Sequence, residues 1–160
     1  MRLRAATAAA HARVDARFGA YDLTDPDDYA RFLIQHARAV GAAEAYLMRA
    51  QPTVAWRARM PLIAADLAAL GHGVPAAAML DLPSAPNIAD GVVYVLEGSR
   101  LGGQLLSRQV GAGLPHAYLG ATHLPGEWRD LRQQFDARDA ADAAWLAQAK
   151  AGAEACFALF

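Results

Sequence analysis

The side chains that point most directly to chemistry are His11 and Arg4, near the start of the chain. His11 lies on a helical face made otherwise of Arg4, Thr7, Ala8 and Asp15. Arg4 precedes His11 by two helical turns, or about 10 Å along the helix axis. An imidazole binds metal ions and a guanidinium pairs with carboxylates, so the two together suit a flat, metal-centred ligand that carries carboxylates. The alternative is that His11 is an ordinary surface or core histidine.

A second candidate is the stretch "YVLEGSRLGGQLL", residues 94–106, which has helical periodicity but contains Gly98, Gly102 and Gly103. Each glycine inside a helix costs about 1 kcal/mol relative to alanine. Gly98, Ser99 and Gly102 fall on one stripe of this helix, which would let a partner approach the backbone closely. That partner is either another helix crossing at Gly98 and Gly102 or a ligand. The adjacent pair Gly102–Gly103 favours a kink.

Other candidate residues carry weaker signals. Arg129 and Arg132 lie one helical turn apart and would clamp an anion, although such a pair usually forms a solvated face. His36 lies on an apolar helical face and is predicted to be a core histidine. Ser99 lacks the preceding strand that a nucleophile elbow requires. The remaining histidines lie in loops without the spacing of a zinc site: His72, His116 and His123.

The elements that must position these residues all read as helices. Apolar residues recur at helical spacing, whereas valine and isoleucine are too sparse for a sheet, which predicts an all-α fold. The start of the second helix is marked clearly. Asp25 is its predicted N-cap, Pro26 takes the first helical position, and Asp28, at the third position, is placed to bond back to the cap residue. A second start is assigned to Asn87 as cap, with Asp90 at the third position. The predicted helices span 2–17, 25–50, 56–70, 87–111, 127–135 and 139–159.

Composition narrows the classes of protein. With 160 residues the chain is expected to form one domain over residues 1–160. Its single cysteine, Cys156, excludes an internal disulfide, and its net charge of −1 argues against nucleic-acid binding. No apolar run reaches the length of a membrane span, and the first residues do not resemble a secretory signal. The expected location is therefore the cytoplasm.

Two motifs in order resemble the heme oxygenase family. "LRAATAAAHARVD" is similar to the family's proximal-helix signature, and "GVVYVLEGSRLGGQLL" is similar to its distal-helix signature. The distal motif resembles most the bacterial branch that supplies biliverdin to bacteriophytochromes, and "AQAKAGAEACFALF" resembles the last helix. The resemblance implies a helical bundle that holds heme between the first helix and a kinked, glycine-rich helix.

The resemblance implies a heme-binding role for four residues. His11 matches the proximal histidine that ligates the heme iron, and it is therefore the expected metal ligand. Arg4 falls where the family places a basic residue that contacts a heme propionate. Arg129 and Arg132 lie in a segment that often carries further propionate contacts.

The catalytic, distal side is implied to lie on the glycine helix. Gly98, Gly102 and Gly103 match the glycines that pack over the porphyrin face. Animal enzymes carry an aspartate directly after the first of these glycines, where this chain, like the bacterial branch, has another residue, Ser99. A polar pocket around Gly98, Ser99 and Gly102 is expected to deliver protons.

The implied activity is oxidative cleavage of heme to biliverdin, carbon monoxide and ferrous iron. Heme would be both substrate and cofactor, with O2 as oxidant. Electrons would come from an external reductase or ferredoxin, since the sequence has no flavin or nicotinamide fingerprint. A bacteriophytochrome would be the acceptor of the biliverdin. Two other hypotheses remain: a heme carrier or sensor without turnover, and a helical interaction protein whose glycines serve packing alone.

Overall fold

Seven α-helices and no β-strand make up the protein, which is described here over residues 1–160 by a computed structural model. The prediction of an all-α fold is confirmed. No helix combines the length and the apolar character that crossing a membrane requires. The helices are α1 (Arg2–Ala6), α2 (Ala8–Phe18), α3 (Pro26–Ala50), α4 (Met60–Ala69), α5 (Pro86–Ser107), α6 (Glu127–Ala141) and α7 (Trp145–Phe157).

The first predicted helix, 2–17, is divided into α1 and α2 at Thr7. Thr7 has φ −110° and ψ 5°, outside helical geometry, and its hydroxyl donates to the Leu3 carbonyl at 2.9 Å. A threonine hydroxyl bonded four residues back competes with regular helix geometry and often bends a helix. The single straight helix assumed for Arg4 and His11 is therefore wrong.

The long helix α3 begins where its capping residues predict. The Asp25 carboxylate accepts a hydrogen bond from the Asp28 N–H at 2.8 Å, and Pro26 occupies the first helical position. Asp28 does not reach back to Asp25 as predicted. Its carboxylate accepts from the Asp22 N–H instead, so it fixes the loop before the helix.

The other helix boundaries differ from prediction because tertiary contacts decide them. Helix α4 begins at Met60 rather than residue 56, and the segment before it is irregular. Helix α5 is capped by Ala85, not Asn87, whose amide donates to Asp142 at 2.9 Å. Asp90 is buried and accepts from the Trp145 indole at 3.0 Å. Helix α6 extends six residues past its predicted end at residue 135, and α7 begins at Trp145 rather than residue 139.

Helices α5 and α7 form the closest packing in the molecule. A Cβ atom added at Gly91 would overlap the Ala149 carbonyl oxygen, and one added at Gly152 would overlap the Ile88 carbonyl oxygen. The two backbones therefore approach so closely that only glycine fits at these positions. Helix α7 also contacts α1 and α2, so it supports both the helix that carries His11 and the helix that carries the glycine motif.

Candidate functional site

His11 lies on α2 with its ring exposed to solvent. Its Nδ1 is 2.8 Å from the Asp15 carboxylate one turn later, and the ring meets the edge of Phe157 of α7 at 5.8 Å between centroids. A carboxylate on Nδ1 holds the proton on that nitrogen and leaves the Nε2 lone pair free. The imidazole is thus oriented from two sides and has one nitrogen available for a metal.

Arg4 lies on α1, beyond the break at Thr7, and its side chain is exposed without an acidic partner. The neighbouring Arg2 differs, because its guanidinium pairs with Asp139 at 3.1 Å. An unpaired, exposed guanidinium remains free to bind an anion. The predicted contact of Arg4 with a carboxylate of the ligand stays a prediction.

The glycine motif presents an open face on the second half of α5. Nothing lies within 4 Å of the Cβ position of Gly102. Leu101 and Leu105 are 42% and 62% exposed on the same face. Apolar side chains flanking a bare strip of backbone form a surface suited to a flat apolar ligand. Helix α5 continues through Gly102 and Gly103 as one helix, so the kink predicted there does not end it.

The three motif glycines have different surroundings. At Gly98 the only close atom is Cη2 of the Trp128 indole, 3.4 Å from the Cβ position. Gly103 is buried, and its Cβ position lies 3.1 Å from the Leu119 carbonyl oxygen. The close crossing of two backbones occurs at Gly91, two turns before Gly98, whereas no backbone atom of another element lies within 4 Å of the Cβ position of Gly98 or Gly102. Packing therefore accounts for Gly91 and leaves Gly102 without a structural partner.

Ser99 turns its hydroxyl into the protein. The hydroxyl donates to the Leu96 carbonyl at 2.8 Å and accepts from the Arg59 guanidinium at 2.6 Å. Arg59 is buried, also donates to the Leu96 carbonyl, and stacks its cationic group over the Tyr118 ring at 5.1 Å. The polar group beside the open face is therefore a fixed Ser99–Arg59 pair, and not a free hydroxyl.

A buried ion cluster lies behind Ser99. Glu97 and Arg100 are both 3% exposed, with Arg100 Nε 2.7 Å from Glu97 Oε2. The Arg57 N–H donates to Glu97 at 3.1 Å, and His123 Nε2 lies 3.3 Å from the same carboxylate. Burial lowers the pKa of His123, which favours the neutral ring. The cluster ties the irregular segment before α4 to α5.

The arginines predicted on α6 lie on its solvent side. Arg129 pairs with the neighbouring Asp130 at 3.0 Å, and Arg132 is exposed with no acidic partner. Both occupy the solvated face that such pairs usually form. Their predicted contact with propionates stays a prediction, and Arg132 is the freer of the two.

His36 packs against the core aromatic residues, as predicted, with the residue half-buried. Its Nδ1 is 2.8 Å from the Tyr118 hydroxyl, the ring stacks on Phe32 at 4.1 Å between centroids, and Nε2 has no partner. Burial lowers its pKa to about 3, so the ring is neutral.

The structure adds three residues to which the sequence analysis assigned no role, although it placed Asp15 on the face of His11. Asp15 had a usable signal, because a carboxylate four residues after a helical histidine lies on the same face. Arg59 and Trp128 had none, since each reaches α5 across a long stretch of sequence. His11 and Gly102 do not touch each other, and both remain exposed on helices that α7 supports.

Comparison with known proteins gives two matches. The chain is 35% identical over 148 residues to a protein named heme oxygenase from Xanthomonas campestris pv. campestris (strain 8004), with 85% of this chain and 88% of that protein covered. Its fold is similar to that of a heme oxygenase from Neisseria meningitidis solved with NO and CO bound. That similarity has a TM-score of 0.73 at 28% identity, over 98% of this chain and 85% of the other. No family model matches the chain.

Proposed function

The chain belongs to the heme oxygenase family, and from this membership we propose that it cleaves heme to biliverdin, carbon monoxide and ferrous iron. The reaction uses O2 and electrons from an external reductase or ferredoxin, and a bacteriophytochrome is the proposed acceptor of the biliverdin. The observation that carries the proposal is the open face at Gly102. The helix has glycine instead of a larger residue at this position, and no other atom of the protein lies within 4 Å of the Cβ position.

His11 and the glycine face each offer groups that suit heme. His11 offers a free Nε2 held in position by Asp15, which suits the neutral imidazole that heme iron requires. The bare backbone of Gly98 and Gly102, with Leu101 and Leu105 beside it, suits the apolar face of a porphyrin. Arg4 and Arg132 are unpaired cations available for the propionates. Bound heme supplies the iron at which oxygen is activated and the carbon that is oxidised.

The protein's own groups have separable tasks in this mechanism. His11 binds the iron, and Asp15 keeps its proton on Nδ1. Gly98 and Gly102 leave room above the ring and exclude any side chain that would block it, while Gly103 lets α5 pack against Leu119. Ser99 and Arg59 hold hydrogen-bonding groups fixed beside that space, and these groups would position the water that a proton transfer to bound oxygen requires.

Hemin titration followed by turnover tests the proposal. The wild-type protein should give a Soret band that saturates at one equivalent, and added reductant and O2 should convert it to biliverdin. His11→Ala should lose the ferric heme spectrum. Asp15→Asn should bind about tenfold more weakly, the lower end of what loss of such a partner costs. His72→Ala, in an exposed loop, is the matched control and should behave as wild type.

The outcomes separate the candidate functions. A wild-type protein without a Soret change excludes heme binding and leaves the helical interaction protein. A wild-type protein that binds heme and forms a stable oxygen complex without biliverdin is a carrier or sensor. The observation that favours the carrier is Ser99, whose hydroxyl hydrogen is already donated to Leu96.

A further inference from the structure

The open face of α5 is closed at one end by the Trp128 indole. Cη2 of Trp128 lies 3.4 Å from the Cβ position of Gly98, whereas the corresponding position of Gly102, one turn later, has no neighbour within 4 Å. Leu101, just before Gly102, and Leu105, one turn after it, are both exposed. The space above the glycines is therefore asymmetric, with an aromatic wall beside Gly98 and room beside Gly102.

The wall is held rigidly in place. Trp128 stacks with Tyr94 of α5 at 6.2 Å and 27° between rings, and with His123 at 5.6 Å and 25°. Tyr94 is buried, and the His123 side chain is 8% exposed and lies beside Glu97. The indole cannot leave Gly98 without breaking both stacks.

We propose that Trp128 is a specificity-determining residue, which fixes the in-plane seating of the heme on the glycine face and so selects the meso carbon that is opened. This inference rests on the proposed heme oxygenase function. A ring bound through His11 is free to shift or rotate about the axis from His11 unless its rim meets something rigid. The indole edge stands beside Gly98, and the space beside Gly102 is open.

Two measurements on the heme-loaded protein test the role of Trp128. The isomer composition of the bilin product reports which meso carbon was opened. The heme methyl resonances of the ferric cyanide complex report the seating of the ring and need no turnover. Trp128→Ala removes the wall, Trp128→Phe keeps an aromatic ring in the stack, and Trp56→Phe changes a half-buried tryptophan in the segment before α4 as the matched control.

Trp128→Ala should lower the ratio of the major bilin isomer to the next by about tenfold, which corresponds to about 1.4 kcal/mol of discrimination. It should also add a second set of methyl resonances. Trp128→Phe should lie near wild type, and Trp56→Phe should match it. A general loss of structure would reduce heme binding without creating a second seating, so the resonance pattern separates the two effects.

The inference fails if Trp128→Ala binds heme with the wild-type methyl pattern and gives the wild-type isomer ratio. If Trp128→Ala does not fold, Trp128→Leu carries the same comparison, and unchanged methyl resonances in Trp128→Leu overturn the role. Failure of the proposed function is distinct, because it is seen in the wild-type protein. If the wild-type protein binds heme without cleaving it, the heme methyl resonances of wild type and variants still decide whether Trp128 fixes the seating of the ring.

Discussion

At the scale of single residues, His11 and Ser99 differ in what their polar atoms still offer. His11 has one nitrogen engaged by Asp15 and the other free, so it is prepared for metal binding. Ser99 has its donor engaged by Leu96 and an acceptor position engaged by Arg59. The imidazole therefore keeps a free lone pair for the proposed iron bond, whereas the Ser99 hydroxyl proposed for proton delivery is already hydrogen-bonded within the protein.

His36 makes the stability of the protein depend on pH. Its pKa is lowered by burial to about 3 in the folded state, against about 6.5 in the unfolded chain. Between these values the unfolded chain binds the proton and the folded protein does not, so stability falls as the pH falls from about 6.5 toward 3. One such histidine should make the free energy of unfolding about 2 kcal/mol lower at pH 5 than at pH 7. Urea unfolding at the two pH values measures this difference.

The variant His36→Gln isolates that contribution, because glutamine can still bond to Tyr118 but does not titrate. It should reduce the difference between pH 5 and pH 7 by about 2 kcal/mol relative to wild type. The control His72→Gln removes a histidine from an exposed loop and should keep the wild-type difference. An equal pH dependence in wild type and His36→Gln would contradict a neutral buried ring.

At the scale of elements, α5 uses glycine for two different purposes. In its first half Gly91 brings the α5 and α7 backbones into contact, and no larger residue fits. In its second half Gly102 faces open space, so its lack of a side chain does nothing for the fold and costs about 1 kcal/mol of helix propensity. Glycine therefore allows close packing of backbones at Gly91 and leaves an open surface at Gly102.

Matched alanine substitutions should separate these purposes. Gly91→Ala places a methyl group on the Ala149 carbonyl and should destabilise the protein by about 3 kcal/mol. Gly102→Ala meets nothing and should leave stability equal or raise it by up to about 1 kcal/mol. Thermal or urea unfolding of the apo-proteins gives both values.

Heme binding and turnover, unlike stability, should be sensitive to substitution at Gly102. Gly102→Leu, whose Cβ meets no other atom within 4 Å, should fold like wild type yet impair heme binding or bilin formation at least tenfold, an effect of about 1.4 kcal/mol. Intact turnover in this variant would show that the ligand does not lie on the Gly102 face.

Helix identities were predictable from sequence, and several helix starts were not. Apolar periodicity and the Asp25–Pro26 start placed α3 at once, because those signals act within one turn. Asn87 failed as a cap because its amide bonds to Asp142, far along the chain. The break at Thr7 also escaped prediction, since threonine is compatible with either conformation until the surrounding packing is known.

At the scale of the whole molecule, the candidate site residues that could be predicted from the sequence are those whose signal lies within a single helix. His11 and the glycine motif are each visible within one element. Arg59 and Trp128 act on α5 from segments distant in sequence, and only folding brings them there. A single sequence marks such residues as one arginine and one tryptophan among several.

The Glu97–Arg100 pair joins these segments behind the site. Burial acts to raise the pKa of Glu97, but the hydrogen bonds from Arg100 and from the Arg57 N–H outweigh it, and the pKa lies below its usual value. Arg100 also donates to the Arg57 carbonyl at 2.8 Å, so the pair binds the segment before α4 through both backbone groups of one residue.

Removing one member of this pair should therefore lower the free energy of unfolding of the whole protein. Arg100→Met leaves the Glu97 carboxylate buried without its cation, which should cost about 3–5 kcal/mol in the free energy of urea unfolding. Adding Glu97→Gln neutralises the buried charge and keeps an acceptor for the Arg57 N–H, so the double variant should regain most of that loss. Arg2→Met, which breaks an exposed pair with Asp139, is the control and should cost no more than about 1 kcal/mol. If the double variant were as unstable as the sum of its single changes, the two charges would be independent, and the cluster would not be what connects the segment before α4 to α5.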